Sequence, residues 1–264
     1  MPEPQRSFTG ERLHDDEPLF GVDLLRHRAA YREAGRIARQ ASARRLLELG
    51  SGDGYGAAEL CEDFPGLVAV DRVAPSAASR ERGARFVRAD VSALPLAAQR
   101  FDLALSFQVI EHLPEPRAYL EALAGAIVED GAVLVSTPNA AFSDGENPFH
   151  VREYGAEALA ALLSRHFGSV QMWGVSARGE ALVYHEARLA RIRSIVRLDP
   201  LGLRRHLPRP LTEWLFARAA LLLRQWIGAK SRLPRVQLAD FPIEPAHPRS
   251  LDLFAICRTP LRGR

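Results

Sequence analysis

The sequence is poor in cysteine, and that excludes two classes of protein at once. Cys61 and Cys257 are the only two among 264 residues. They stand far apart, in neither a metal-ligand spacing nor a Cys-x-x-Cys pair, so a disulfide framework and a zinc module both fall away. Two free, buried thiols in a reducing compartment are expected instead. Long apolar runs are missing too. No uninterrupted stretch approaches the roughly 20 residues of a membrane-spanning helix. The opening MPEPQRSFTGERLHDDEP has no apolar core and does not read as a signal peptide. A cytoplasmic protein is the expectation. Internal repeats and low-complexity tracts are also lacking. A large charge imbalance is lacking as well, since the formal net charge is +3.

The charge that is present is unevenly spread. Between Glu186 and Arg235 there are 12 Lys+Arg and 3 Asp+Glu, on an otherwise mildly acidic chain. Apolar residues make up 47% and charged residues 25%, the balance of an ordinary globular protein with a sizeable core.

Periodicity predicts a helix over Val22–Gln40, packed as a lid over the sheet edge. Strands and helices then alternate. Strands are expected at Leu46–Leu49, Leu67–Val70, Ala84–Arg88, Phe101–Phe107, Gly131–Ser136, Ser169–Val175 and Ser250–Cys257. Helices are expected after Pro116 and over Gly155–His166. This alternation predicts a mostly parallel sheet covered by helices on both faces, with the last two strands as an antiparallel edge. The connection from 176 to 249 is long and helical, over Glu186–Leu198 and Thr212–Ile227, with proline-rich joints at Leu207–Pro210 and Phe241–Pro248. Four segments result: 1–44 with the lid helix, a core at 45–175, a basic helical insertion at 176–249, and a final core strand and tail at 250–264.

The most informative stretch is LLELGSGDGYGAAEL, Leu46 to Leu60. A short apolar strand runs into Gly50, Gly52, Gly54 and Gly56 and then into helical spacing. Glycines there let a ligand approach the backbone N–H groups at a helix start. Asp71 ends the next strand, where a carboxylate accepts from ribose hydroxyls. The spacing of the glycines is not Gly-x-Gly-x-x-Gly, and no Tyr-x-x-x-Lys pair exists, so a nicotinamide oxidoreductase is disfavoured.

Taken in order, Glu48-Leu-Gly50-Ser51-Gly52-Asp-Gly54, Val68-Ala-Val70-Asp71, Arg88-Ala-Asp90-Val91 and Phe101-Asp-Leu-Ala-Leu-Ser resemble the class I S-adenosylmethionine-dependent methyltransferases. The stretch Gln108-Val-Ile-Glu111-His112-Leu-Pro114-Glu-Pro116 resembles their small-molecule and quinone O-methyltransferases. The resemblance implies a Rossmann-like α/β fold and S-adenosyl-L-methionine as cofactor. It places Glu48 by the methionine amino group, with Gly50, Ser51, Gly52 and Gly54 along the methionine part. Asp71, with Arg72 beside it, would lie at the ribose, Asp90 and Val91 at the adenine, and Gln108 at the sulfonium end. Phe8-Thr-Gly-Glu-Arg12, together with Asn147-Pro-Phe-His150-Val-Arg152-Glu-Tyr154, resembles methyltransferases of glycan and glycosyl-transfer systems. That implies a sugar hydroxyl as acceptor, with a phenol or quinone as the alternative. A catalytically silent nucleoside-binding module is a third reading.

A hydroxyl acceptor needs a base, and histidine suits that work near neutral pH. His150 is the first choice and His112 the second. Each has a structural alternative: His150 as a hydrogen-bond partner of Glu153, His112 as a brace of the loop before Pro114. No metal is assigned, because Asp144, Glu146 and Glu111 lack a diagnostic spacing and read as solvated loop acids. The basic segment 186–235 has three readings: a cap on the protein's own core, a dimer interface, or a peripheral contact with an anionic membrane. No aromatic platform or groove motif points to nucleic acid.

Overall fold

The computed structural model describes residues 21–91, 98–145, 147–197, 218 and 235–261. Eight strands form one sheet in the order β3-β2-β1-β4-β5-β8-β6-β7. They are β1 Leu46–Leu49, β2 Val68–Asp71, β3 Arg85–Arg88, β4 Phe101–Phe107, β5 Ile127–Pro138, β6 Phe167–Val175, β7 Ile243–Pro245 and β8 Asp252–Pro260. The helices are α1 Gly21–Gln40, α2 Tyr55–Leu60, α3 Ala77–Glu81, α4 Arg117–Ala126, α5 Ala156–Leu163 and α6 Gly179–Val196. Strands β3, β2, β1, β4 and β5 are parallel, as the alternation predicts.

The period-two pattern divides the strand residues between two apolar layers. Leu103, Leu105 and Phe107 of β4 pack with Leu134, Phe254 and the buried face of α1. Ala104, Val133 and Val135 pack on the other side with Tyr119, Leu120 and Leu123 of α4 and Leu159 and Leu163 of α5. Both cysteines are free and buried. Among the described residues no helix is long and apolar enough to cross a membrane.

Three features of the sheet and its N-terminal helix differ from the sequence expectation. First, the last strand is not at the edge. β8 is antiparallel to both β5 and β6 and lies between them, pairing Val133 with Cys257 on one side and Val170 with Cys257 on the other. The edge is β7, three residues within the stretch expected to be a proline-rich joint. Second, α1 contacts β6 and β7 at the edge of the sheet and extends from there over the sheet face. Tyr31, Ala34, Ile37 and Ala38 are buried against strand residues Leu46, Ala69 and Leu103. Third, β5 starts at Ile127, because the backbone stays paired to β4 through a register irregularity beside the exposed Glu129 and Asp130. The helix expected at Glu186 begins at Gly179, and its Ala181 and Leu189 are buried. The helix expected over Thr212–Ile227 lies outside the described residues except for Arg218.

Candidate functional site

In an open parallel sheet, ligands bind at the carboxyl ends of the strands, where the strand order reverses. Here that point lies between β1 and β4. The turn leaving β1 is built there from three glycines with positive φ: Gly50 at 84°, Gly52 at 54° and Gly54 at 83°. Gly50 and Ser51 donate their N–H groups to the Val70 carbonyl at 2.8 and 3.2 Å, tying the turn to β2. A Cβ on Gly50 would stand 2.2 Å from Val109 Cγ2, whereas one on Gly52 would meet nothing within 4 Å. The turn is therefore packed against Val109, just beyond β4, on one side and open at Gly52. Gly56, expected to belong to this turn, is instead the second residue of α2. It is glycine because a Cβ would stand 2.0 Å from the Tyr31 ring.

Substituting Gly50 by Ala separates strain from clash. A left-handed non-glycine residue costs roughly 1–2 kcal/mol, and the clash with Val109 adds to it. We expect Gly50→Ala to lower the melting temperature by about 5 °C. The double variant Gly50→Ala/Val109→Ala should recover part of the affinity for S-adenosylhomocysteine that the single variant loses. Full recovery, read by calorimetry, would show that the backbone angle is irrelevant.

Glu48 sits at the base of the turn, 1% exposed. The Tyr31 hydroxyl donates to its Oε1, and its Oε2 is buried without a partner. Burial pushes the carboxyl up to about 7, with Asp71 adding to the rise and the Tyr31 bond opposing it. An orphaned carboxylate oxygen beside an open glycine turn fits a cationic amine such as the one S-adenosylmethionine carries. Asp71 ends β2, with Oδ2 accepting from Gly52 N–H at 2.9 Å and Oδ1 from Val73 N–H at 2.9 Å. Arg72 is exposed, and its carbonyl accepts from the Arg88 guanidinium at 3.0 Å. Asp90 is exposed just beyond β3, and Val91 packs against the apolar layer that includes Val70.

Gln108 follows β4 with φ at 57°, a strained angle for a side-chain-bearing residue. Its N–H donates to the Ser136 carbonyl at 2.8 Å and its side-chain amide to Ser136 Oγ at 3.3 Å, close enough to Asp252 to favour the charged form of that carboxyl. Asp252 is 2% exposed and pairs with Arg26 of α1 at 3.3 Å. Tyr31, Arg26 and Asp252 are thus site residues that sequence reasoning missed. Each meets its partner only through the fold.

The two histidines come together. His112 ends a short 3-10 turn, Ile110–His112, and His150 lies in the loop after β5. Their rings are 5.2 Å apart, edge to face. His112 Nδ1 donates to the Phe149 carbonyl at 2.9 Å. His150 Nδ1 bonds Glu153 Oε1 at 2.7 Å, and Asn147 Nδ2 donates to His150 Nε2 at 2.9 Å. Glu111, expected to be a solvated loop acid, is fully buried and accepts from Thr137 Oγ1 at 2.9 Å. The turn tucks it under β5, and burial pushes its carboxyl up to about 8. Asp144 is half-buried on the following loop, and Glu146 lies outside the described residues. A shallow cavity lined by Ser42, Arg45, Asp102 and Gly131 is at the opposite, amino-terminal end of β4 and takes no part in this constellation.

The model of a family described as "Methyltransferase domain" matches residues 23–193. A protein of Mycolicibacterium smegmatis named a probable S-adenosylmethionine-dependent methyltransferase is 31% identical over 272 residues, covering 96% of this chain and 95% of that one. A protein of the same description from Mycobacterium tuberculosis is 35% identical over 178 residues, and the chain spans 64% of its length with 64% of its own. A ubiquinone biosynthesis O-methyltransferase of Rhodopseudomonas palustris is 33% identical over 48% of this chain and 53% of its own. Among solved structures, a SAM-dependent methyltransferase of Thermotoga maritima shares the fold. Its TM-score is 0.54 at 15% identity, over 91% of this chain and 92% of that one. With the glycine turn, Glu48 and Asp71 assembled on a sheet of this order, the chain belongs to the S-adenosylmethionine-dependent methyltransferases.

Proposed function

We propose that the protein transfers a methyl group from S-adenosylmethionine to a hydroxyl oxygen of a sugar, in a glycan or a glycosylated metabolite. The observation that carries this reading is the pair of histidines at the carboxyl ends of β4 and β5, on the same rim as the glycine turn and Gln108. The cofactor, when bound, supplies an activated methyl group. Glu48 would then hold its amino group and Asp71 its ribose, with Arg72 alongside. Ser51 and the three glycines would follow the methionine part, Asp90 and Val91 the adenine, and Gln108 the sulfonium end.

What remains for the protein is alignment and proton uptake. Holding the acceptor oxygen in line with the methyl group supplies much of the rate. A sugar hydroxyl, unlike an amine, must also lose a proton during attack. His150 suits that role because the Glu153 carboxylate fixes its Nδ1–H, and Nε2 would serve as the basic nitrogen once the acceptor hydroxyl takes the place of the Asn147 amide that donates there. His112 is the second candidate. The loop around them carries Ser143, Asp144, Asn147 and Arg152, hydrogen-bonding groups that favour a polyol over an apolar ring. A phenol or quinone is the second reading, favoured by the relative named for ubiquinone biosynthesis.

Within the described part of the basic segment, Arg188 pairs with Asp23 of α1 at 3.3 Å, and Glu186 pairs with Arg249. These internal pairs support a cap on the protein's own core over a membrane or dimer surface. The deciding experiment is a methyl-transfer screen against glycans and phenols, read by mass spectrometry. A mass gain of one methyl on a sugar hydroxyl is expected. Product from phenols alone would move the assignment to the second reading. Binding of S-adenosylhomocysteine with no product from any hydroxyl would favour a silent nucleoside-binding module.

A further inference from the structure

We propose that Glu111, His112 and His150 form a binding site for a divalent transition-metal ion at the acceptor end of the cleft. This rests on the reading of that rim as the acceptor side of a methyl-transfer site. It departs from the sequence reading, which assigned no metal. One ligand atom from each of the three residues lies within 4.8 Å of the other two. Two imidazoles and one carboxylate are the donor set that zinc, manganese, cobalt and iron accept.

Proximity alone would not carry this. The second observation is an orphan: Glu111 is fully buried, and its Oε1 has no hydrogen-bond partner. A buried carboxylate oxygen without a partner is expensive unless something cationic meets it. The third is the arrangement around the cluster. Each of the three residues has its other polar atom held from outside. Thr137 Oγ1 donates to Glu111 Oε2 at 2.9 Å, His112 Nδ1 donates to the Phe149 carbonyl at 2.9 Å, and His150 Nδ1 bonds Glu153 Oε1 at 2.7 Å. A carbonyl only accepts, so His112 carries its proton on Nδ1 and its lone pair on Nε2. The Glu153 carboxylate sets the same tautomer in His150. Metal-ligating histidines are oriented in this way, their outer N–H given to a carbonyl or a carboxylate.

At His150 Nε2 an ion would take the place of the Asn147 amide, which donates there at 2.9 Å. Three protein ligands leave coordination positions for oxygen. Water fills them in the resting protein, and a hydroxyl of the acceptor displaces it. With the ion bound, the histidines would serve as ligands; the ion would acidify the coordinated hydroxyl, whose proton would pass to solvent water as the oxygen takes the methyl group from the sulfonium and the thioether leaves.

The test uses the full chain without a histidine tag, stripped by chelator and titrated with Co2+, Zn2+, Mn2+ and Mg2+. One equivalent of Co2+ should bind, with visible absorption bands that Zn2+ abolishes. Glu111→Gln, which keeps the shape of the buried side chain, and His150→Ala should each weaken binding at least about tenfold. Glu157→Gln, an exposed acid in the first turn of α5 and outside the cluster, should bind as the wild type does. Absence of saturable binding by any of the four ions overturns the proposal, and so does wild-type affinity in Glu111→Gln. Calorimetry with S-adenosylhomocysteine runs in parallel. Nucleoside binding without ion binding sinks the metal site alone, whereas ion binding without nucleoside binding sinks the methyl-transfer reading.

Discussion

Replacing Asp71 with alanine is expected to weaken S-adenosylhomocysteine binding by about 100-fold or more. The carboxylate ends β2 and stands over the glycine turn, with one oxygen accepting from Gly52 N–H and the other from Val73 N–H, each at 2.9 Å. A carboxylate oxygen can accept from more than one donor, so the pair can also meet the two ribose hydroxyls. Hydrogen bonds to a charged acceptor contribute about 1.5–3 kcal/mol each. Losing two therefore amounts to about 3 kcal/mol at the low end, or roughly two decades in affinity. The alanine variant also releases the turn, so a control is needed. Asp71→Asn keeps an oxygen for Gly52 N–H and one acceptor for the ribose, and about a tenfold loss is expected. Calorimetry at constant pH measures both. Wild-type affinity in Asp71→Ala would refute the ribose assignment. Equal losses in the two variants would show that Asp71 acts through charge alone.

Much of this site is legible in the sequence because it is local. A strand, a glycine turn and a helix follow one another over 15 residues, Leu46 to Leu60, and the ends of β2, β3 and β4 carry Asp71, Asp90 and Gln108 in chain order. What the sequence does not disclose depends on distant partners. Tyr31 reads only as one residue on the apolar side of α1, and nothing near it announces that its hydroxyl reaches Glu48. Gly56 looks like a fourth member of the turn until the Tyr31 ring is seen where its Cβ would be. Asp252 opens a strand whose position between β5 and β6 is set by antiparallel pairing, which no local pattern encodes. β7 is three residues long with a proline in it, too short for a period-two signal. Glu111 follows the same rule. A charged residue before a histidine and a proline reads as a loop acid, and only the turn beneath β5 reveals it as buried.

Glu48 should make cofactor binding depend on pH in the direction opposite to folding. Its carboxyl is pushed up to about 7 from the ordinary 4.5, chiefly by burial. Below the ordinary value both folded and unfolded chains hold the proton, and the group adds no pH dependence. As pH rises from 4.5 to 7 the unfolded chain gives up the proton and the folded chain keeps it. The stabilising contribution of the neutral carboxyl is present at low pH and is lost as pH rises through 7. Glu111, pushed up to about 8, adds to the same slope. The difference between wild type and Glu48→Gln therefore isolates Glu48. Cofactor binding reverses the sign, because a cationic amine at the orphaned Oε2 favours the ionised carboxylate. Below pH 7 binding must expel the proton, so affinity should rise by up to about tenfold per pH unit between 5 and 7. It should level off above 7 and fall once the α-amino group itself titrates near about 8. Glu48→Gln should lose about 100-fold in affinity at pH 7.5, the order of a broken buried charge pair at about 3 kcal/mol. Calorimetry in buffers of different ionisation heat counts the released protons directly. A wild-type slope in Glu48→Gln, or no proton release at pH 6, would remove Glu48 from the amino-group site and leave its buried carboxylate oxygen to be matched by another cation.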